Sequence, residues 1–164
     1  MRPCPATRRR RSSDAGLLPQ RLSSPEPERL NRLSATHHAA FQPASRGWSA
    51  EEIARLAQSG ALFAEGQDRA FALFSVAADE AELLTIAVHP DHRRKGLARA
   101  LLGAAKADLR TSGATTVHLE VAADNDAAIA LYRKLGFSVS GTRRAYYQRP
   151  EGERVDAVMM FVDL

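Results

Sequence analysis

Hydrophobic and polar residues alternate along the chain with two different periods, and the order of these periods predicts a mixed α/β domain. Apolar runs of strand length occur at 17–22, 61–64, 70–76, 82–88, 116–121, 145–149 and 155–162. Apolar residues at helical spacing occur within 25–41, 49–59, 97–111 and 127–135. Strands therefore come before, between and after the helices, as expected for one sheet that is covered by helices.

Capping and turn residues mark the ends of several elements. Ser49 precedes a helix and Glu52 follows three residues later, so the two residues form a capping box. Gly113 and Gly136 end two further helices. The turn sequence at 150–153 joins the last two strands and predicts a closing hairpin.

The segment 82–99 carries the most specific pattern in the chain: a buried-type strand, a turn, a basic loop and a helix. Free backbone N–H groups and the helix dipole favour an anion at such a helix start. Arg93, Arg94 and Lys95 surround the same point, and Gly96 leaves room for phosphate oxygens. The alternative is an amphipathic helix with a basic first turn, although those charges oppose the helix dipole. The pattern therefore predicts a pyrophosphate site, and it lacks the glycines of a Walker A or dinucleotide-binding loop.

Three polar residues lie at the end of the next strand or in the helix after it, in the region where open α/β sheets place their chemistry. Glu120 points away from the apolar face of its strand, near the strand's carboxyl end. Asn125 and Tyr132 are two helical turns apart, so they share one helix face at a separation of about 10 Å. Glu120 is a candidate base, and the other two residues suit contacts on one extended ligand. A solvated glutamate and a core tyrosine are the alternatives.

Length and composition are those of one globular domain, with 164 residues of which 45% are hydrophobic. Cys4 is the single cysteine, which excludes an intramolecular disulfide and fits a reducing compartment. No apolar run has the length of a membrane span or of a signal-peptide core. The five histidines lack metal-ligand spacing, so we expect no metal site. The sequence shows no serine or cysteine nucleophile pattern, so we expect no covalent enzyme intermediate.

Positive charge is concentrated near the N-terminus. Residues 1–35 contain eight arginines and three acidic residues, whereas the remainder contains 15 basic and 16 acidic residues. We expect residues 1–15 to be a disordered basic leader and residues 16–164 to form the domain. The leader could contact RNA electrostatically, act as a transit-like segment or result from a misplaced start codon. We expect an extension that is irrelevant to function, and we assign it no role.

Several motifs resemble the acetyl-CoA-dependent N-acetyltransferases of the GNAT superfamily. The Arg93-x-x-Gly96-x-Ala98 sequence is similar to the acyl-CoA signature of that superfamily. Further motifs resemble its RimI-type branch, which acetylates the N-terminal alanine of a small-subunit ribosomal protein. These motifs are Leu-Glu-Val-x-x-x-Asn at 119–125, Ala-Leu-Tyr-x-x-x-Gly-Phe at 130–137, and Arg-Arg-x-Tyr-Tyr at 143–147 with Gly152, Asp156, Ala157 and Met160 after it. The resemblance is nearly continuous over 79–164 and weaker over 30–76.

The resemblance implies an α/β (α+β) fold with a central, mixed, mostly antiparallel sheet flanked by helices, in which two splayed parallel strands hold acetyl-CoA. It implies that Glu120 is the base, that Tyr132 protonates the leaving thiolate and that the Val88 N–H contacts the carbonyl oxygen. The residues that it implies for cofactor binding are Ile86, Ala87, Val88, Arg94, Lys95, Gly96, Leu97, Ala98, Arg99 and Asn125. The segment 41–49 would gather the acceptor N-terminus, although its motif is more spread out than in RimI-type chains.

These implications predict a cytoplasmic enzyme that is a monomer or a weak dimer. Its substrate would be the N-terminus of a ribosomal protein, acetylated directly in a ternary complex with acetyl-CoA and without a metal. No specific nucleic-acid partner and no membrane partner are expected. Two alternatives remain: an acetyltransferase of the same fold that acts on a small-molecule amine or a lysine side chain, and a ribosome-associated module that binds CoA without turnover.

Overall fold

One seven-stranded sheet organises residues 18–164, the part of the chain that the computed structural model describes. The strands are β1 (Gln20–Leu22), β2 (Gly60–Ala64), β3 (Ala70–Ala77), β4 (Glu80–Val88), β5 (Thr116–Ala122), β6 (Ser138–Gln148) and β7 (Arg154–Asp163). Their order in the sheet is β1-β2-β3-β4-β5-β7-β6. The helices are α1 (Pro27–Phe41), α2 (Ala50–Gln58), α3 (Leu97–Thr111) and α4 (Asp126–Lys134), with a short 3-10 turn at Pro90–His92. All pairs of neighbouring strands are antiparallel except β4 and β5, which are parallel and are connected through α3.

The order of elements predicted from the sequence is confirmed, and the differences lie at strand ends. The opening strand was expected to begin at Leu17, but β1 begins at Gln20, and residue 17 itself lies outside the described residues. The prediction for β6 was too short, because this strand begins at Ser138 and not at Ala145. Its first half lacks apolar alternation since most of its side chains are exposed on an edge strand. The predicted leader, residues 1–15, also lies outside the described residues.

Two apolar clusters cover the two faces of the sheet. On one face α1 and α2 contribute Leu33 and Ile53 to a cluster with Leu62, Phe71, Leu73 and Ala87. On the other face α3 and α4 contribute Leu101, Leu102, Ala105, Leu109, Ile129 and Tyr132 to a larger cluster with Phe63, Phe74, Val117 and Leu119. Both clusters pack on β3 and β4, so the centre of the sheet is buried on both sides. None of the helices in residues 18–164 has the length and the apolar character needed to span a bilayer.

A β-bulge interrupts β4 near its middle. Leu73 of β3 pairs with Thr85 whereas Phe74 pairs with Leu83, so Leu84 is the extra residue. Leu83 packs with the α3 side, and Thr85 is buried on the α1 side. Bulges bend and twist the strand that carries them. The bulge at Leu84 directly follows Leu83, the last residue of β4 that pairs with β5.

Candidate active site

A cleft opens between the two parallel strands, β4 and β5. Their pairing runs from Glu80 with Thr116 to Leu83 with Leu119 and ends there. β4 continues to Val88 and remains paired with β3 on its other side. The backbone groups of residues 84–88 that face β5 therefore have no strand partner within residues 18–164. We call this gap the β4–β5 cleft, and its edge can form hydrogen bonds with an extended ligand as an added strand would.

The basic loop, Arg93–Gly96, lies at the end of the cleft and leads directly into α3. Gly96 is the N-cap residue of α3 with φ 79°, and Arg94 also has a left-handed φ of 62°. Alternation of left-handed and right-handed residues turns successive N–H groups toward one point, which makes a concave anion site. A Cβ built on Gly96 would have no atom within 4 Å, so the space above the helix start is open to a ligand. The glycine is thus required by its φ angle and not by crowding.

The cations of this region divide into two kinds. The Arg93 guanidinium donates to the backbone oxygen of Ala40 at 2.8 Å and ties the loop to the end of α1. The Lys95 ammonium donates to the Asp91 backbone oxygen at 2.9 Å. Arg94 and Arg99 are exposed beside the start of α3. Arg94 and Arg99 are therefore the predicted phosphate-binding cations that are best placed to move toward a ligand. Arg93 instead positions the loop.

Glu120 lies one residue beyond the last β4–β5 pair and lines a cavity of about 460 Å³ on the face of the sheet that α1 and α2 leave open. We call this cavity the polar pocket; its lining includes Ser75, Glu80, Glu82, His118, Glu120, Ser140, Arg143 and Met159. The Glu120 side chain is 17% exposed, and its Oε1 lies 2.9 Å from Arg143 Nε. A carboxylate at the mouth of a cleft, in contact with an open cavity, is well placed to accept a proton from a bound amine.

Three side chains of β6 surround Glu120. Besides Arg143, the Tyr147 hydroxyl donates to the Glu120 backbone oxygen at 3.3 Å. Tyr146 is exposed and packs against the Tyr147 ring, edge to face, with 5.1 Å between the ring centroids. Hydrogen bonding to the Glu120 carboxylate and the charge of that carboxylate raise the pKa of Tyr146. Burial, followed by the charge of Glu120, raises the pKa of Tyr147 to about 12, so both phenols stay protonated near neutral pH.

Tyr132 and Asn125 lie on α4, on the other side of β5. Tyr132 is buried, and its ring centroid is 5.7 Å from that of Phe137. Burial, with a smaller contribution from Tyr147, raises the pKa of Tyr132, so the phenol is a proton donor and not a phenolate. The Asn125 side chain accepts from the Ala128 N–H at 3.2 Å and caps α4. The structure thus places Glu120 and Tyr132 on opposite faces of the sheet, next to the same open end of β5.

A buried histidine that the sequence did not single out joins α1 to the loop before α2. His37 Nδ1 accepts from the Trp48 N–H at 3.0 Å, which leaves the proton on Nε2, 3.1 Å from the Thr85 hydroxyl oxygen. The His37 ring stacks on Phe41 and on Trp48, with centroid distances of 4.4 and 4.9 Å. Burial, followed by the charge of His38, lowers the pKa of His37 to about 4. The segment 41–49 is therefore fixed to β4 beside the cleft.

The site contains more residues than the sequence indicated. The structure places the predicted residues 86–88 on β4 along the cleft, and residues 94–99 in the basic loop and the first turn of α3. Glu120 lies one residue beyond the last β4–β5 pair, Asn125 is the N-cap residue of α4, and Tyr132 is buried on α4. Arg143 and His37 were missed as members of the site because their partners are far away in the chain. His37 and Phe41 are four residues apart on one helix, and this spacing could have predicted that their rings stack.

The donor set fits an extended thiol cofactor with a pyrophosphate group. The unpaired edge of β4 offers backbone donors and acceptors to an amide-containing arm, and the start of α3 offers N–H groups and cations to phosphates. Within residues 18–164 no group of three or more His, Cys, Asp or Glu side chains has a geometry that could hold a metal ion.

Comparison with known proteins agrees with this fit. The [ribosomal protein bS18]-alanine N-acetyltransferase of Escherichia coli K12 is 48% identical over 99 residues, which are 60% of this chain and 66% of that protein. This chain thus matches slightly less than two thirds of the relative's length. The crystal structure of the ribosomal-protein-S18-alanine N-acetyltransferase from Escherichia coli has a TM-score of 0.77 and 37% identity, covering 89% of this chain and 94% of that one.

More distant structures share the fold alone. A Salmonella typhimurium protein solved with its cofactor acetyl-CoA has a TM-score of 0.76 at 19% identity, over 92% of this chain and 95% of that one.

The model of the acetyltransferase (GNAT) family matches residues 17–137, a range that contains the β4–β5 cleft, the basic loop and both Glu120 and Tyr132. The chain therefore belongs to the acetyltransferase (GNAT) family.

Proposed function

We propose that the chain transfers the acetyl group of acetyl-CoA to the N-terminal alanine of a small-subunit ribosomal protein. The observation that carries the proposal is the position of Glu120, at the mouth of the β4–β5 cleft and inside the polar pocket. Similarity to the Escherichia coli bS18-alanine N-acetyltransferases supports the choice of acceptor. The acceptor enters the polar pocket, between the His37–Trp48 segment and the β6–β7 hairpin.

Acetyl-CoA supplies the acetyl thioester, and the chain holds it mainly through backbone groups. The β4 residues Ile86, Ala87 and Val88 bind the pantetheine arm along their unpaired edge. The start of α3 binds the pyrophosphate with Arg94, Lys95, Gly96, Leu97, Ala98 and Arg99. Asn125 contacts the same arm from the N-terminus of α4. These backbone and side-chain groups of the cleft thus orient the thioester toward the polar pocket.

Glu120 removes a proton from the acceptor amine. An α-amino group has a pKa of about 7.7–8.0, so a nearby carboxylate, directly or through water, is a sufficient base near neutral pH. Arg143 lies 2.9 Å from Glu120 and holds the carboxylate in place. The neutral amine then forms the new C–N bond with the acetyl carbonyl carbon, and the second proton that its nitrogen loses on becoming an amide passes to water.

Val88 and Tyr132 act on the other two charges of the reaction. The Val88 N–H donates to the carbonyl oxygen as negative charge develops on it. Tyr132 gives its proton to the sulfur as the C–S bond breaks, and its raised pKa means that it carries this proton at neutral pH. Direct transfer in a ternary complex needs no covalent enzyme intermediate.

The assignment of acceptor also sets where the protein acts. We place it in the cytoplasm with the ribosomal proteins that it modifies, as a monomer or weak dimer without a specific nucleic-acid ligand. The net negative charge of residues 36–164, with 15 basic and 16 acidic side chains, supports the absence of a nucleic-acid site in that region.

Mass spectrometry with a matched pair of peptides tests the proposal. One peptide starts with alanine and follows the N-terminus of a ribosomal protein, and the second is the same peptide with a blocked N-terminus and one free lysine. We expect one added acetyl group on the first peptide and none on the second. Acetylation of only the lysine peptide, or of polyamines and aminoglycosides without peptide preference, would overturn the choice of acceptor. Binding of CoA without any transfer would favour a module without turnover.

A further inference from the structure

An irregular stretch of β6 places the side chains that surround Glu120. Arg143 pairs with Ala157 and Tyr147 pairs with Val155 across the β6–β7 ladder. Residues 144–146, the β6 bulge, therefore stand opposite the single residue Asp156. Without the extra residues, β6 would present its side chains to the polar pocket in a different order.

The β6 bulge requires an unfavourable backbone conformation. Ala145 has a φ of 50°, in the left-handed region that residues other than glycine rarely adopt. The Ala145 N–H donates to Asp156 Oδ1 at 2.7 Å, and the Ala145 backbone oxygen accepts from Arg154 Nη1 at 3.2 Å. Side chains of β7 thus bond both polar groups of Ala145. Each bond has one charged partner, and the bond to the carboxylate is the shorter of the two.

Asp156 also holds the end of β5 through its main chain. Its backbone oxygen accepts from the Ala123 N–H at 2.9 Å. Ala123 follows Glu120 by three residues, directly after β5 ends. One residue therefore connects the β6 bulge, through its side chain, to the strand end that carries Glu120, through its backbone.

We propose that Asp156 is a positioning residue for acetyl transfer. Its carboxylate holds the β6 bulge, and the bulge in turn brings Arg143, Tyr146 and Tyr147 against Glu120. The inference rests on the proposed function, because it takes Glu120 as the base. Its role depends on the acceptor oxygen and not on the charge alone, so asparagine, which keeps that oxygen, should replace it.

The test compares D156A and D156N with D163A, a matched substitution of an exposed aspartate at the far end of β7. The measured quantities are kcat and KM for the alanine-starting peptide, the Kd of acetyl-CoA by calorimetry, and Tm. We expect kcat of D156A to fall by about 10-fold to 100-fold, as for a displaced catalytic group. D156N should recover most of this loss, D163A should match the wild type, and the Kd of acetyl-CoA should stay constant in all three.

Two results would overturn the positioning role: D156A with a kcat within about twofold of the wild type, or D156N as slow as D156A at an unchanged Tm. If D156A does not fold, D156S takes its place, because the serine side chain is too short to reach the Ala145 N–H. Failure of the proposed function is a separate result, since it appears as absence of peptide acetylation by the wild-type protein itself. Wild-type activity that D156A retains would overturn the positioning role alone.

Discussion

The β4–β5 cleft and the polar pocket adjoin each other at Glu120, but they are built in different ways. The cleft is made from backbone: an unpaired strand edge, two left-handed residues in the basic loop and the start of α3. The pocket is made from side chains that five strands contribute, among them Glu82, Glu120 and Arg143. A backbone site recognises amide and phosphate groups whatever side chains surround it, whereas a side-chain site changes with each substitution. Cofactor affinity and turnover should therefore respond to different mutations.

The largest expected effect separates the two regions at Glu120. E120Q removes the proton acceptor but keeps the size of the side chain, so kcat should fall by about 100-fold to 10,000-fold. The Kd of acetyl-CoA should not change, because the cleft does not use this carboxylate. Steady-state kinetics and calorimetry measure the two quantities. E151Q, in the exposed β6–β7 turn, is the matched control and should behave as the wild type.

A kcat of E120Q within about threefold of the wild type would contradict the assignment of the base. Weaker binding of acetyl-CoA in E120Q would contradict the separation of the two regions, since the pocket would then contribute to the cleft.

His37 fixes the acceptor side to the cofactor strand, and its buried neutral ring makes that link sensitive to pH. The pKa of His37 is lowered from 6.5 to about 4 in the folded chain, so between these values the folded state binds fewer protons than the unfolded state. The contribution of His37 to the free energy of unfolding is therefore greatest above pH 6.5, and it decreases by about 2 kcal/mol as the pH falls toward 4. Urea denaturation at pH 7 and pH 5 measures this decrease.

The variant H37Q provides the comparison for this pH dependence. It has no titrating group at position 37, so its free energy of unfolding should lose this part of the decrease between pH 7 and pH 5. The same decrease in H37Q as in the wild type would assign it to other groups.

Tyr132 lies on the opposite face of the sheet from Glu120, and its hydroxyl should matter for turnover only. We expect Y132F to lower kcat by about 10-fold to 100-fold, since one general acid is lost. Stability should change little, because phenylalanine fills the same apolar surroundings next to Phe137. Measurement of kcat and Tm on the same preparation checks both parts. An unchanged kcat would mean that Tyr132 is a core residue and that the thiolate takes its proton from water.

The sequence predicted the cleft better than the pocket, and the reason is the distance along the chain between interacting residues. The strand, basic loop and helix of the cleft are continuous from Glu80 to Thr111, so local periodicity and one glycine define them. The contact between Arg143 and Glu120 joins β6 to β5. Along the chain α4 lies between these two strands, and in the sheet β7 lies between them. No local pattern reports such a pair.

The same argument explains two further differences between sequence and structure. The first half of β6 was missed because edge strands with exposed faces need no apolar alternation. Leu84 was read as part of a regular strand because a bulge depends on pairing with β3, which the sequence of β4 alone does not contain. Local signals therefore predicted the elements, and tertiary pairing decided their ends and irregularities.

The smallest expected effects come from two glycines of one helix, and they should have opposite signs. Gly96 has a φ of 79° whereas Gly103 is exposed within α3, and a Cβ on either would meet no atom within 4 Å. G96A should destabilise the chain by about 1 kcal/mol through backbone strain, and the displaced N–H groups should weaken acetyl-CoA binding severalfold. G103A should stabilise it by up to about 1 kcal/mol, because alanine favours a helix interior. Chemical denaturation and calorimetry compare the pair. If G96A and G103A change the free energy of unfolding in the same direction, the positive φ of Gly96 is not required. The cleft would then depend on its side chains as the pocket does.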